Sequence, residues 1–220
     1  MKRILVIPVL NEGDRIRSLL KGSMNYVDQI IVVDDGSSES KKAIADGISQ
    51  KVIVLRHRIN LGKGAAMKTG CEAAIRLGAD IIILMDGDGQ HKPEDIPRFV
   101  DELVGKNVEI VFGSRKIGRD MPLVMMLGNK FLSLATSLLF RIYVSDTQSG
   151  FRAFKSKIYP LITWNSSRYS VETEMIVNVG KNKLKFSEIN IETIYKDDYK
   201  GTTVFDGLKI FFNMIIWRIL

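Results

Sequence analysis

The sequence predicts an α/β protein: a doubly wound, mainly parallel sheet followed by C-terminal amphipathic or interfacial helices. Short apolar runs rich in branched residues recur through the first half of the chain, and helical stretches separate them. Each run ends in a cluster of polar or acidic residues. With 220 residues, 45% hydrophobic and 26% charged, the chain is long enough to bury one substantial core.

Taken in order, "RILVIPVL" reads as a buried strand bounded by Asn11, Glu12 and Gly13, and a helical stretch over roughly 14–25 follows. In "QIIVVDDGSS" a strand from Gln29 to Val33 ends in acidic and small residues that can start the next helix. "KVIVLRH" is a third strand, "GKGAAMKTGCEAAIRLG" a helix and "ADIIILMD" a fourth strand. Proline and acidic residues in "HKPEDIPRFVDELV" mark a helix start, and "EIVFGSR" is a fifth strand. Sheets of this kind bind ligands beyond the carboxyl ends of their strands. Four such ends supply polar groups: Asn11 with Glu12, Asp34 with Asp35, Asp86 with Asp88, and Ser114 with Arg115.

Several classes are excluded. The first strand-to-helix turn reads "NEGDR", not G-x-G-x-x-G, and no Walker A sequence is present; "GKG" at 62–64 lacks the spacing of either motif. A single cysteine, Cys71, rules out an intramolecular disulfide framework and points to a reducing compartment. The basic start leads into a polar turn, unlike a signal peptide. Net charge is +7, and the excess lies wholly in the second half: 16 Lys and Arg against 9 Asp and Glu over 111–220, but 16 against 16 over 1–110. That asymmetry favours an anionic partner, a nucleotide, a phosphate or an acidic membrane surface. Nucleic acid is not the expected partner, because aromatic and basic residues after position 111 are not interleaved as a stacking platform requires.

Beyond Arg119 the alternation stops. The run at about 121–143, "MPLVMMLGNKFLSLATSLLFRIY", is apolar and helical in composition, but Pro122, Gly128, Asn129 and Lys130 interrupt it. It suits a helix lying on a membrane or in a groove better than one spanning a bilayer. "GLKIFFNMIIWRIL" at the end is a second apolar stretch in which Trp217 and Arg218 resemble an interfacial anchor, with a membrane segment expected to follow in a longer chain.

Asp86 and Asp88 stand two apart at a strand end, where one turn can aim both carboxylates at a single point. Hard divalent cations such as Mg²⁺ or Mn²⁺ take oxygen ligands and bridge to substrate phosphates, so this spacing suits a diphosphate. Gln90 is placed to bond a sugar hydroxyl or a metal-bound water. Capping or packing suits His91 better than ligating such a cation.

The sequence resembles the family 2 glycosyltransferases, within them the branch of dolichol-phosphate mannosyltransferases and polyprenyl-phosphate sugar transferases. The matching blocks run in order: "PVLNE" at 8–12, "VVDDGS" at 32–37, "NLGKGAAM" at 60–67, "DGDGQHKPED" at 86–95, "GSR" at 113–115 and "DTQSGFRAF" at 146–154. The resemblance implies a GT-A catalytic domain over 1–205, with 206–220 as an apolar C-terminal helix. It implies a metal-dependent hexosyltransferase that takes mannose or glucose from a GDP- or UDP-sugar. The acceptor would be dolichyl or polyprenyl phosphate, at the cytoplasmic face of a membrane, with or without a membrane subunit.

By position, Pro8, Leu10 and Glu12 resemble the lining of the nucleoside pocket, and Asp35 the carboxylate that binds the base while Asp34 shapes the turn. Asp86, Asp88 and Gln90 look like the metal and diphosphate-sugar site, and Arg115 a residue facing the phosphates. Asp146 is the base if the acceptor is a hydroxyl. If the acceptor is a lipid phosphate, Asp146 orders its loop and Arg152 holds the phosphate; this second role is favoured. The transfer would be an inverting single displacement. Within "YKDDYKGTTV" the mannosyltransferase pattern fails: Asp198 stands where an arginine is usual, and Thr203 with Val204 follows Gly201, leaving Lys196 and Lys200 as substitutes and the sugar open. The alternatives are a soluble family member acting on a saccharide or protein hydroxyl, and a non-enzymatic anion- or membrane-binding module.

Overall fold

Alternation of side chains along the strands divides them between two faces of one sheet, and each face collects its own core. The structure, a computed structural model, describes residues 1–13, 15–38, 49–115, 123–167, 170–192 and 204–219. Its elements are β1 (Arg3–Val9), α1 (Arg15–Ser23), β2 (Gln29–Asp34), β3 (Val52–Arg56), α2 (Lys63–Arg76), β4 (Ile81–Leu84), α3 (Ile96–Gly105), β5 (Ile110–Arg115), α4 (Leu123–Phe140), β6 (Arg152–Lys155), α5 (Tyr159–Ile162), α6 (Val171–Lys181), β7 (Phe186–Ile191) and α7 (Val204–Ile219). The helix expected after β2 and the segment holding Lys196, Asp198, Lys200, Gly201 and Thr203 lie outside the described residues, as do the first two residues of the expected 121–143 helix.

The strand order is β3-β2-β1-β4-β6-β5-β7. β1 pairs in parallel with β2 and β4, β2 with β3, and β5 with β7, so the mainly parallel reading is the fold observed. Along β1, Leu5, Ile7 and Val9 face a core completed by Ile16 and Leu20 of α1 and by Ile96, Phe99, Val100 and Leu103 of α3. The spacing of those four α3 residues is that of a single helical stripe. Ile4 and Val6 face the opposite core, shared with α2, α4, α5, α6 and α7. The last helix joins that core through Ile210 and Met214, which are buried.

The chain reverses its winding between β1 and β4, and the crevice this opens lies beyond their carboxyl ends. The "PVLN" and "DGDG" turns leave the sheet there.

Two strands were not anticipated. β6 runs antiparallel between β4 and β5, and β7 forms the edge beside β5. The end of β5 is therefore separated from the end of β4 by a whole strand, and Ser114 and Arg115 meet the loop that precedes β6 through Ser145 and Asp146.

β6 also overturns the placement of Arg152 at an acceptor phosphate. Its side chain is 1% exposed, and its guanidinium donates to the carbonyls of Ser149 (3.1 Å), Glu172 (2.7 Å) and Thr147 (3.3 Å), over the ring of Phe112. Burial pushes its pKa down to about 10, against the pull of the Glu172, Asp146 and Asp86 carboxylates. Such a cation is a structural rivet: its buried guanidinium is satisfied by three backbone carbonyls, which it ties together across the 147–149 loop and the start of α6. Replacing it with methionine should destabilise the fold by about 3 kcal/mol or more, since hydrogen bonds to a charged group each contribute about 1.5–3 kcal/mol. Urea unfolding measures this; unchanged stability with a raised acceptor KM would return Arg152 to the phosphate.

Candidate active site

The "DGDG" turn closes directly against β1. A Cβ on Gly87 would lie 2.6 Å from Val9 Cγ1 and 3.0 Å from the Pro8 carbonyl, so only glycine lets the two strand ends meet this closely. On its other side the turn meets the 145–150 loop, where a Cβ on Gly150 would fall 2.3 Å from a carboxylate oxygen of Asp86. Asp86 is thus held between two segments that are far apart in sequence.

Its charge is balanced by a residue the sequence reading passed over. Lys63, in the first turn of α2, places Nζ 2.6 Å from Asp86 Oδ1 and 2.6 Å from Glu172 Oε1 of α6. Burial works against the ammonium, but Asp86 and Glu172 outweigh it and hold the pKa of Lys63 above its ordinary value. Burial likewise works against the Asp86 carboxylate, and Lys63, then His91, holds its pKa below the usual range. His91 is buried and tilted against the Phe151 ring, with Nε2 3.9 Å from Asp86 Oδ2. The α2 terminus that carries Lys63 is fixed by Trp164, whose indole N–H donates to the Gly64 carbonyl at 2.9 Å, and by the Gly64 N–H, which donates to Ser167 at 2.9 Å.

Asp88 is in a different condition. One of its oxygens accepts the Gln90 N–H at 2.9 Å. Its pKa is raised, first by burial and then by the charge of Asp86. A carboxylate that ionises with difficulty beside another is suited to a cation.

The ends of β1 and β2 are tied to each other. The Asn11 N–H donates to Ser37 Oγ at 2.8 Å, and the Ser38 N–H donates to Asn11 Oδ1 at 3.0 Å. Asp34 accepts the Ser37 N–H at 2.9 Å, the turn-shaping contact its sequence position suggested. Asp35, read as the contact to a base, is instead committed largely to the protein. Oδ1 meets His57 Nδ1 at 2.7 Å and accepts the Leu61 N–H at 3.0 Å, and Oδ2 accepts the Gly62 N–H at 2.8 Å. Only Oδ2 keeps clear room for a further donor. Beside this pair of strand ends, Pro8, the last residue but one of β1, lies in register with Val33, Leu10 is exposed and Glu12 is half-buried.

On the far side, Arg115 and Asp146 face each other. Arg115 donates through Nε to Oδ2 (2.6 Å), through Nη2 to Oδ1 (2.9 Å) and through its backbone N–H to Oδ2 (3.1 Å). Asp146 is buried, and although burial opposes its charge, Arg115 holds its pKa below the usual carboxylate range. Asp146 is thus paired with Arg115, and Arg115 meets a carboxylate where a phosphate contact was expected.

Among the described residues no group of three or more His, Cys, Asp or Glu side chains is disposed to enclose a metal. The donor set instead fits a hard cation that keeps its waters and substrate phosphates and takes one or two carboxylates from the protein. Asp88 meets that requirement directly, whereas Asp86 is already paired with Lys63. The signal that would have found Lys63 was present: a lysine on the first turn of a helix that begins at the carboxyl edge of the sheet. Glu172 had no such signal.

The chain matches the family description "Glycosyl transferase family 2" over residues 4–163. It is 35% identical over 238 residues to a UDP-N-acetylglucosamine--dolichyl-phosphate N-acetylglucosaminyltransferase of Methanococcus voltae, with 97% of this chain and 95% of that one covered. It is 25% identical to a polyprenol monophosphomannose synthase of Mycolicibacterium smegmatis, with 99% and 87% covered. In three dimensions it is similar to glucosyl-3-phosphoglycerate synthase from Mycobacterium tuberculosis, solved with Mn²⁺, UDP and phosphoglyceric acid. That likeness has a TM-score of 0.76 over 99% of this chain and 78% of the other, at 18% identity, and is one of fold. The α/β frame, the ordered strand-end blocks and these matches agree: the chain belongs to glycosyl transferase family 2.

Proposed function

We propose that this protein transfers a hexose or N-acetylhexosamine from a UDP-sugar to a polyprenyl or dolichyl phosphate, with inversion at the anomeric carbon. The observation that carries the acceptor reading is the state of Asp146. Both of its oxygens are engaged by Arg115 and its charge is stabilised, which makes it a weak base. A hydroxyl acceptor needs a proton removed, whereas a phosphate arrives already anionic. A relative of nearly equal length whose name joins UDP-N-acetylglucosamine to dolichyl phosphate supports the same donor and acceptor.

The surface agrees with a lipid acceptor. On α4, Leu127, Phe131, Leu134 and Leu138 are exposed at spacings of four, three and four residues, one face of a helix. On α7, Phe205, Leu208, Phe212, Ile216 and Ile219 form a second exposed apolar row. The two helices pack together, with the Phe131 and Phe211 rings 5.0 Å apart. Lys130, Lys209 and Arg218, all exposed, flank the rows with positive charge suited to anionic headgroups. Among the described residues no helix is long and apolar enough to cross a membrane, so the proposed contact is with its surface.

In this reading Asp88, assisted by Asp86, would hold Mg²⁺ or Mn²⁺, which supplies charge neutralisation on the diphosphate as it departs. Lys63 keeps Asp86 in place, the Asp35 and Asn11 turns border the nucleoside, and Gln90 lies on the sugar side. The fold likeness to an enzyme named for phosphoglycerate supports a second reading, a soluble hydroxyl acceptor.

Radiolabelled UDP- and GDP-sugars incubated with short-chain polyprenyl phosphate and Mn²⁺, then extracted into organic solvent, should give label in the lipid phase from a UDP-sugar. Label found only in a water-soluble product would establish the second reading. Leu134→Glu combined with Leu138→Glu should abolish sedimentation with anionic vesicles without altering the melting temperature.

Asp88→Asn tests the cation. Because the Asp88 pKa is raised on folding, the folded chain holds this proton more tightly than the unfolded chain. Ionised Asp88 therefore subtracts stability at neutral pH; the deficit shrinks as pH falls through the folded-state value and vanishes below the unfolded-state one. Asparagine retains the acceptor for Gln90 and removes the charge. The variant should be inactive yet melt higher, by about 2–4 °C for each ~1 kcal/mol relieved. Mn²⁺ with UDP should raise the melting temperature of the parent and not of the variant; an equal rise in both would place the cation elsewhere.

A further inference from the structure

The apolar-faced helix and the carboxylate site are joined by one side chain. Asn129 lies on α4 between the exposed Leu127 and Phe131, but it is half-buried and turned towards the 145–150 loop. Its Oδ1 accepts the Thr147 N–H and the Thr147 hydroxyl, both at 3.0 Å, and its Nδ2 donates to the Ser145 carbonyl at 3.2 Å. One turn further along, Ser133 donates to the same carbonyl at 3.4 Å. A single amide thus satisfies both a donor and an acceptor of the loop backbone.

The loop transmits that grip. Beside Ser145, Asp146 is locked to Arg115; beyond Thr147, the Gln148 side chain donates to Thr173 Oγ1 of α6 at 2.9 Å; and Gly150 is seated on the Asp86 carboxylate. Ser145 is anchored from the opposite side by Glu188 of β7, which accepts from its N–H and its hydroxyl at 2.7 Å each. These other attachments hold the loop to the sheet and to α6. Among the described residues, Asn129 and Ser133 supply the side-chain hydrogen bonds between the loop and α4.

We infer that Asn129 is a positioning residue that couples α4 to the 145–150 loop, so that the place of the lipid-facing helix sets the seating of Gly150 against Asp86. The inference rests on the proposed lipid-facing role of α4 for its biological meaning, but the coupling itself is a property of the chain. It gives the enzyme a means of aligning its carboxylates when the helix settles on the surface that carries the acceptor.

The test uses Asn129→Leu, which keeps a side chain of similar size, and the milder Thr147→Val, which keeps the backbone N–H donor to Asn129. Hydrogen exchange should accelerate at residues 145–150 in Asn129→Leu while protection of β1 and β4 is unchanged. With detergent-dispersed short-chain polyprenyl phosphate, kcat should fall by about tenfold or more, as misplacement of a reacting group produces, with little change in the KM for the nucleotide sugar. Thr147→Val should be intermediate, and the double variant no worse than Asn129→Leu, because both remove one linkage. Sedimentation with phosphatidylcholine–phosphatidylglycerol vesicles should be unchanged. Parent-like exchange and kcat in Asn129→Leu would overturn the coupling; additive losses in the double variant would also do so. If the parent transfers sugar only to a water-soluble hydroxyl, the lipid reading fails, and the same exchange and kcat measurements on that acceptor still decide the role of Asn129.

Discussion

The ion pair between Lys63 and Asp86 is the constraint on which the site depends. Asp86 stands beside Asp88, and Glu172 approaches from α6, so carboxylates gather where little water is available to screen them. One ammonium placed 2.6 Å from both Asp86 and Glu172 makes that gathering tolerable. It also joins the first turn of α2, the turn after β4 and the start of α6, three segments that have no neighbouring positions in sequence. Removing Lys63 would leave two partly or wholly buried carboxylates without their cation, the arrangement in which a broken pair costs most.

Because Lys63 neutralises Asp86, Asp88 is the carboxylate left without a full partner. The division is physical: two identical side chains in one turn have pKa values displaced in opposite directions by their surroundings. Asp86 serves as the framework on which Gly150 and Lys63 rest, and Asp88 remains the group with something to gain from a cation. The two-residue motif alone would assign both the same part.

The residues legible in the sequence were those whose roles are local. Branched apolar runs ending in polar clusters specified β1 to β5, and Asp34 shapes its turn as an aspartate three residues before an N–H donor should. What was not legible depends on contacts across the chain. β6 consists of four residues, Arg-Ala-Phe-Lys, whose charged ends conceal a central strand, and a buried arginine contradicts the general tendency that made Arg152 look like a surface ligand. Asp146 was expected to order its loop, but its partner, Arg115, comes from a strand 31 positions away and was assigned elsewhere. Lys63 was weighed only against phosphate-loop spacings, so its failure to match those concealed its actual use.

Under the proposed function, Asp146 is where such a fold would serve a phosphate acceptor. A general base must keep an oxygen free and a pKa near the working pH, and Arg115 removes both conditions by holding the two oxygens and stabilising the charge. The same engagement makes the loop rigid, so its contribution passes from proton transfer to alignment. Alignment is what an already charged nucleophile lacks: it must be brought to the face of the sugar opposite the diphosphate, and two anions must be held near each other long enough to react. A loop tied to β5 by Asp146, to β7 by Ser145, to α4 by Asn129 and to α6 by Gln148 has its geometry set from four directions. Of these, only the third runs to a helix whose outer face is apolar, and so the freedom that remains in the site lies in where that helix rests.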